Sequence, residues 1–317
     1  MAETIVTRAP TRIDFGGGWT DVPPISDEIG GFVCNIAISR YATVTVVRGG
    51  EQVATTTESV DRAIVDAASR RFRVRDVHID VHSDFPISAG LGGSSAVGVA
   101  VVAALSASRG ERMQAAAVAE LSREIEINDL GIPGGRQDHY AAAYGGALGL
   151  RFAAGGKVQV REIGLDARTR AEIEKRFFIL YTGQSRVSGE TINAVIDAYK
   201  SGDKQVIATL RHMKEIAEFM PDTLANGDLD ALGRLVTQQW KYQRSLHPAI
   251  PTPEIDEVIA RATQAGAVGA KALGASGGGC VLVIASPSNV ERVKAAIAPL
   301  GQLLPFKVDE RGVERCK

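Results

Sequence analysis

The residues whose types and spacing most directly suggest chemistry lie in Pro86 to Leu105, PISAGLGGSSAVGVAVVAAL, a glycine- and serine-rich loop opening straight into an apolar helix. A helix start leaves backbone N–H groups without intrahelical partners, and the aligned peptide dipoles add partial positive charge, so phosphate is a natural occupant. Gly90, Gly92 and Gly93 let backbone come close to such a ligand. Ser94 and Ser95 stand where an N-cap or a magnesium-facing hydroxyl belongs. A glycine-rich turn that caps a buried helix is the competing reading. No lysine closes the loop as a Walker A motif requires, and a GxGxxG dinucleotide motif begun at Gly90 fails at its third glycine, where the chain has Ser95. A phosphate bound here would draw neutralising charge from magnesium and from side chains elsewhere. Two more glycine-rich segments, DFGGGWTDVPP at 14–24 and LGASGGG at 273–279, suggest a large anionic ligand approached by backbone on several sides.

Other candidate chemistry is thinner. Gly274, Ser276 and Gly278 match the GxSxG of serine hydrolases, but a strand-like run, Val281 to Ala285, follows where a nucleophile elbow needs a helix. His78, Asp80 and His82 alternate like metal ligands, yet Val77, Ile79 and Val81 between them explain the pattern as a strand with one buried face. His212 and His247 belong to no motif. Cys34, Cys280 and Cys316 are far apart, without a CxxC, which argues against a zinc site or disulfide framework and for a reducing compartment.

The elements that must position these loops read as an α/β mixture. A chain of 317 residues suits one large or two closely joined domains. With 36 basic and 37 acidic residues, no global field draws nucleic acid or an anionic membrane. The longest apolar run, Ala96 to Leu105, is too short for a bilayer, and MAETIVTRAP shows no signal peptide; a cytoplasmic protein is expected. Short β-rich runs occur at Ile5 to Arg8, Phe32 to Ile38, Tyr41 to Val47, Gln52 to Thr57 and Val74 to His82, with a helix over Ser59 to Arg71. After the central loop come a helix over Met113 to Ile127, a loop ending at Asp138, and strands at Ala147 to Phe152, Val158 to Ile163 and Phe177 to Tyr181. Helices follow at Ser188 to Lys200, Gln205 to Met220, Leu229 to Ser245 and Pro253 to Gly266. A strand at Val281 to Ala285, a helix at Asn289 to Ala298 and a strand at Leu304 to Val308 complete the chain. This pattern predicts domains over 1–180 and 181–317, with a site between them.

In order and spacing, APTRIDFGGGWTDVPP, PISAGLGGSSA and KALGASGGG resemble the three signature motifs of the GHMP kinases, over nearly the whole chain. DFGGGWTD followed by PP, GGRQDHYAAAYGG, and TGQSR before a helix are most similar to the branch holding L-fucokinase and D-glycero-D-manno-heptose 7-phosphate kinase. The resemblance implies an α+β two-domain fold, with an N-terminal α/β domain like the second domain of ribosomal S5 and a C-terminal ferredoxin-like α+β domain. It implies ATP and Mg2+, and phosphoryl transfer to a hydroxyl of a sugar or sugar phosphate. The anomeric hydroxyl of heptose 7-phosphate or a related sugar is the expected acceptor; fucokinase, galactokinase-like or cyclitol kinase activities, and a non-catalytic sugar and nucleotide sensor, are alternatives. Oligomeric state is left unassigned.

Residue by residue, the resemblance places ATP on Pro86, Ser88, Ala89, Gly90, Leu91, Gly92, Gly93, Ser94, Ser95 and Ala96. Magnesium falls to Glu126 with Ser95, with Ser94 the alternative hydroxyl and Glu124 close enough to be confused with Glu126. Asp138 would orient the acceptor hydroxyl and take its proton late. Arg12 would favour ionised Asp138 and offset charge on the transferring group. Asp21, Gly17, Gly18, Thr20, Gly277 and Gly278 would contact the acceptor, and Arg186 would meet a substrate phosphate. The competing readings are a helix-capping Asp138, a solvated Glu126, an exposed strand-end Arg12, an Asx turn at Asp21 and a surface Lys271. One departure is His139, where relatives commonly carry glutamine.

Overall fold

Alternating and continuous apolar runs sort the chain into two antiparallel sheets with helices between and around them. The computed structural model describes residues 4–48, 59–74, 77–184 and 188–316. In chain order the elements are β1 (Thr4–Gly16), α1 (Ile25–Glu28), β2 (Gly31–Arg48), α2 (Ser59–Phe72), β3 (Val77–Ser83), α3 (Gly93–Ser108), α4 (Ala115–Glu124), a π-helical turn (Ile125–Asp129) and α5 (Gln137–Tyr144). Next are β4 (Ala147–Phe152), β5 (Val158–Ile163), α6 (Ala167–Arg176), β6 (Phe177–Tyr181), α7 (Ser188–Lys200), α8 (Lys204–Ala225), α9 (Leu229–Gln243) and α10 (Pro253–Ala265). The chain closes with β7 (Ala267–Ala272), β8 (Cys280–Ala285), α11 (Val290–Ile297), β9 (Gln302–Leu303) and β10 (Glu314–Cys316).

The first sheet runs β10-β1-β2-β4-β5, with β3 also paired to β2; the second runs β7-β8-β6-β9. One face of the first sheet packs Val44, Val46, Leu148 and Leu150 against Val97, Val101 and Leu105 of α3. α3 is apolar on nearly all sides because helices and sheet enclose it. The other face, with Ile13, Phe15 and Ile36, meets Leu282 and Ile284 of β8 and Leu232 and Val236 of α9. Val281 and Val283 of β8 point the opposite way, toward Ile255 and Val258 of α10. CVLVIA is therefore continuously apolar because both of its faces are covered.

Several elements differ from the sequence reading. The runs at 32–38 and 41–47 are one strand, β2, whose register against β1 shifts between Pro10 and Thr11. The polar pair Ser39-Arg40 lies in that irregularity and mimics a break. Phe177–Tyr181, read as the close of the first half, pairs with β8 and β9, while β10 returns to β1; sheet membership does not follow the division at residue 180. Val308 makes only an isolated bridge to Ile38, and the last second-sheet strand is the short β9. α1, α6 and β7 were not expected. The helix at 113–127 gives way to a π-helical turn at Ile125. The strand expected at 52–57 lies outside the described residues. Among those residues, no helix is long and apolar enough to cross a membrane.

Candidate active site

The glycine loop is shaped by backbone that only glycine adopts easily. Gly92, at φ 75°, is the N-cap of α3 and no side chain caps the helix, so Ser94 and Ser95 are not its caps. Their hydroxyls turn to Glu126: Ser94 Oγ donates to Oε1 at 2.6 Å and Ser95 Oγ to Oε2 at 3.5 Å. Glu126 projects from the π-helical turn, where the widened backbone re-aims it toward the loop. His139 Nε2 lies 2.8 Å from Glu126 Oε2, and its Nδ1 lies 3.0 Å from Ser122 Oγ. The carboxylate only accepts, which assigns a proton to Nε2. Burial alone would raise the Glu126 carboxyl, but the bonds from His139 and the two serines outweigh it and hold it below the usual range. Glu124 points elsewhere, to Arg71 at 2.9 Å, which separates the two glutamates.

Asp138 sits in the first turn of α5, whose N-cap is Arg136. Its carboxylate does not cap the helix; it receives Arg12 in a fork, Nε to Oδ1 at 2.7 Å and Nη2 to Oδ2 at 2.8 Å. Arg12 is 3% exposed, not a strand-end surface residue, while the Asp138 side chain keeps 25%. Arg12 also donates from Nη1 to the carbonyl of Gly90 and from its backbone N–H to that of Leu91. A Cβ at Gly92 would stand 3.1 Å from the Asp138 carboxylate. Acid, guanidinium and phosphate loop thus converge at one point. Ala89, Leu91 and Ala96 are buried and anchor the loop, whereas Ser88 and Ile87 face solvent and Pro86 is half-buried.

The third glycine segment supports this loop from behind. Cys280 donates to the carbonyl of Ala89 at 2.8 Å, and a Cβ at Gly90 would collide with the carbonyl of Leu273. Gly277 bonds Ile250, and Gly278, at φ 137°, packs on Gln184. Ser276 lies between antiparallel β7 and β8, so no strand-to-helix elbow exists there. Lys271 is a correction: it is 0% exposed, and its Nζ bonds Asp14 Oδ2 at 2.9 Å and the Asp14 carbonyl at 3.1 Å. Burial pushes its ammonium down, against the pull of Asp14.

On the far side of α5 lies the first motif. Asp21 is buried and accepts from the Gln137 backbone N–H at 3.0 Å. Burial, with the charges of Asp138 and Asp14, pushes its carboxyl up to about 6 against that bond. Thr20 Oγ1 donates to the Gly17 carbonyl at 2.6 Å and accepts from Phe32 N–H at 3.1 Å, so its hydroxyl holds the loop. Gly17 is positioned by the same need, since a Cβ there would overlap the Phe32 carbonyl. Gly18 lies between Asp14 Oδ2 and Gln137 Nε2. Asp14 Oδ1 and Asn35 Oδ1 are buried without partners. Arg186 lies outside the described residues. Asp14, Gln137 and Lys271 stand inside the quoted motifs, where the sequence reading gives Asp14 and Gln137 no role and Lys271 only a surface one; nothing in its surroundings marks Asn35.

With this geometry in place, comparisons with known proteins are informative. The model of the GHMP kinases N terminal domain matches residues 59–146 and that of the GHMP kinases C terminal matches 219–300. The chain is 25% identical to the D-glycero-alpha-D-manno-heptose 7-phosphate kinase of Campylobacter jejuni, covering 98% of each. It is also 25% identical to the bifunctional fucokinase/GDP-fucose pyrophosphorylase of Arabidopsis thaliana, covering 94% of this chain and 31% of that one. Among solved structures, a D-glycero-D-manno-heptose 1-phosphate kinase from Bacteriodes thetaiotaomicron superimposes with a TM-score of 0.79 at 24% identity, over 99% of both chains. Lactococcus lactis galactokinase complexed with galactose gives 0.75 at 16%, over 99% and 95%.

Proposed function

We propose, from the premise that the chain belongs to the GHMP kinases and has their two-domain α+β fold, that it transfers the γ-phosphoryl group of ATP to a sugar or sugar-phosphate hydroxyl. The observation that carries this is the Arg12–Asp138 fork held against Gly92 of the phosphate loop. An acceptor hydroxyl placed at the exposed quarter of Asp138 would be oriented by its carboxylate and would give up its proton to it late, as the bond to phosphorus forms. Arg12 fixes both carboxylate oxygens and adds positive charge beside the migrating group. The backbone of Gly90 to Ser95, at the start of α3, would cradle the nucleotide phosphates.

The donor set around Glu126, one carboxylate and two hydroxyls, is all oxygen and suits a hard divalent cation. Glu126 with Ser95 or Ser94 would hold magnesium, which when bound neutralises phosphate charge. Asp21 and Gln137 would meet the sugar hydroxyls, and the anomeric hydroxyl of heptose 7-phosphate is the acceptor we favour, by likeness to a heptose 7-phosphate kinase across nearly the whole chain. Three unpaired cysteines suit the cytoplasm, where ATP is available.

The test is ADP release with magnesium-ATP across free sugars, heptose 7-phosphate, cyclitols and mevalonate, with the product read by phosphorus NMR. An anomeric phosphate signal from one sugar or sugar phosphate is expected. ATP bound with sugar and no turnover of any acceptor would favour a sensor instead.

A further inference from the structure

Arg136 and Arg123 lie on the side of α5 away from Arg12, and their guanidiniums are incompletely hydrogen-bonded. Arg136 is 5% exposed. Its contacts are long: Nη1 to Asp27 Oδ1 at 3.7 Å, Nη1 to Ser26 Oγ at 3.5 Å, and Nε to Glu120 Oε1 at 4.0 Å. Arg123 reaches Glu120 Oε2 only at 3.9 Å. The Nε of each arginine is buried without a hydrogen-bond partner. Two guanidiniums offer ten N–H donors, and a cluster needed only for the fold would close to hydrogen-bond distance. Glu120 is held back by Tyr140, whose hydroxyl donates to it at 2.8 Å. Burial, then the neighbouring Arg136 charge, pushes the Arg123 guanidinium down, an independent sign that the two cations crowd one another.

We propose that Arg136 and Arg123 form an oxyanion subsite that takes a phosphomonoester already carried by the acceptor. Arg136 and Asp138 are two positions apart at the start of α5, so their Cα atoms are about 5.4 Å apart and their side chains leave the helix on opposite sides. Gly135 packs on Asp21, so the sugar ring bound by Asp21 lies between the two ends. One end of the acceptor meets Asp138 for transfer, and the other passes the helix start to the guanidinium pair. The turn at Gly156, where a Cβ would stand 3.1 Å from Arg136 Nη2, closes over this end and is followed by the exposed Lys157. A phosphomonoester fits because its several oxygens can accept from both planar forks at once. Asp27 and Glu120 balance the arginines when the subsite is empty. The inference rests on the kinase reading above, and its chemistry is separable from it.

The test compares kcat/KM for D-glycero-D-manno-heptose 7-phosphate and for the same heptose without phosphate, in the full chain and in Arg136→Met and Arg123→Met. The ratio of the two values is expected to collapse at least about 30-fold in Arg136→Met, chiefly through KM, and by less in Arg123→Met. Arg136→Lys is expected to keep part of the ratio. Inorganic phosphate is expected to compete with the phosphorylated heptose; if it instead accelerates turnover of the free heptose, the subsite serves free phosphate and the proposal is wrong about its source. A fall shared equally by both substrates, or an unchanged ratio, overturns the proposal. If no sugar is turned over at all, the kinase reading fails first. Stabilisation by inorganic phosphate, read as a thermal shift in the parent chain and in Arg136→Met, then decides the subsite alone: a shift lost in the variant supports it, and an equal shift or none overturns it.

Discussion

At the phosphate loop, Glu126 is bonded by Ser94, Ser95 and His139, and both oxygens of Asp138 are taken by Arg12. Across α5, Asp14, Asn35 and Arg136 each leave a buried polar atom without a partner, and Asp21 stays buried with its carboxyl pushed up to about 6. Buried polar groups are costly to leave unpaired. On the proposed reading, the two carboxylates beside the phosphate loop are held before substrate arrives, while the acceptor side is completed by the hydroxyls and charge of what it binds. Such a site rejects analogues that lack those groups more strongly than an apolar pocket can. On that proposal, selectivity belongs to the acceptor side and chemistry to the Arg12–Asp138 fork.

The comparison breaks most visibly at Lys271, which joins the second sheet to Asp14. Lys271→Met leaves a buried carboxylate without its cation, and a loss of about 3–5 kcal/mol in urea unfolding is expected. A loss below about 1 kcal/mol would show that Asp14 is not held by this pair.

Asp21→Asn sharpens the contrast, because stability and binding should move in opposite directions. A carboxyl raised to about 6 in the fold favours the folded state when protonated, and that contribution is lost as pH rises through 6. Replacing it with the neutral amide should therefore stabilise the chain by about 1–3 kcal/mol at pH 7–8, with the gain vanishing toward pH 4. The acceptor KM should rise about tenfold. Equal stability of variant and parent across this range would place Asp21 in a solvated site.

The smallest effect is expected at His139. His139→Gln keeps a donor toward Glu126, so kcat within about threefold of the parent is expected, whereas His139→Leu should raise the magnesium needed for half-maximal rate about tenfold. No difference between the two would mean that His139 is packing alone.

These distinctions were unevenly legible in the chain. Glycine positions pointed to the phosphate loop, because close backbone approach and a helix start leave local signatures, whereas Asp138, Glu126 and Arg12 were expected only through the resemblance to the GHMP kinase motifs. The acceptor side depends on pairs distant in sequence: Lys271 meets Asp14 across 257 positions and Arg136 meets Ser26 across 110. A buried lysine and a surface lysine look alike until the sheet that covers them is known. The strand break at Ser39-Arg40 misled for a related reason, since β1 bridges it from outside.

The proposed proton transfer falls to Asp138, and Asp138→Asn tests it with two numbers taken together, kcat on the acceptor and the dissociation constant of ADP. The amide keeps the shape of the carboxylate but cannot take the hydroxyl proton. A fall in kcat of about 10²–10⁴ is expected, with ADP affinity within about twofold of the parent. Turnover within threefold of the parent would remove Asp138 from the reaction and leave its fork with Arg12 as a structural tie.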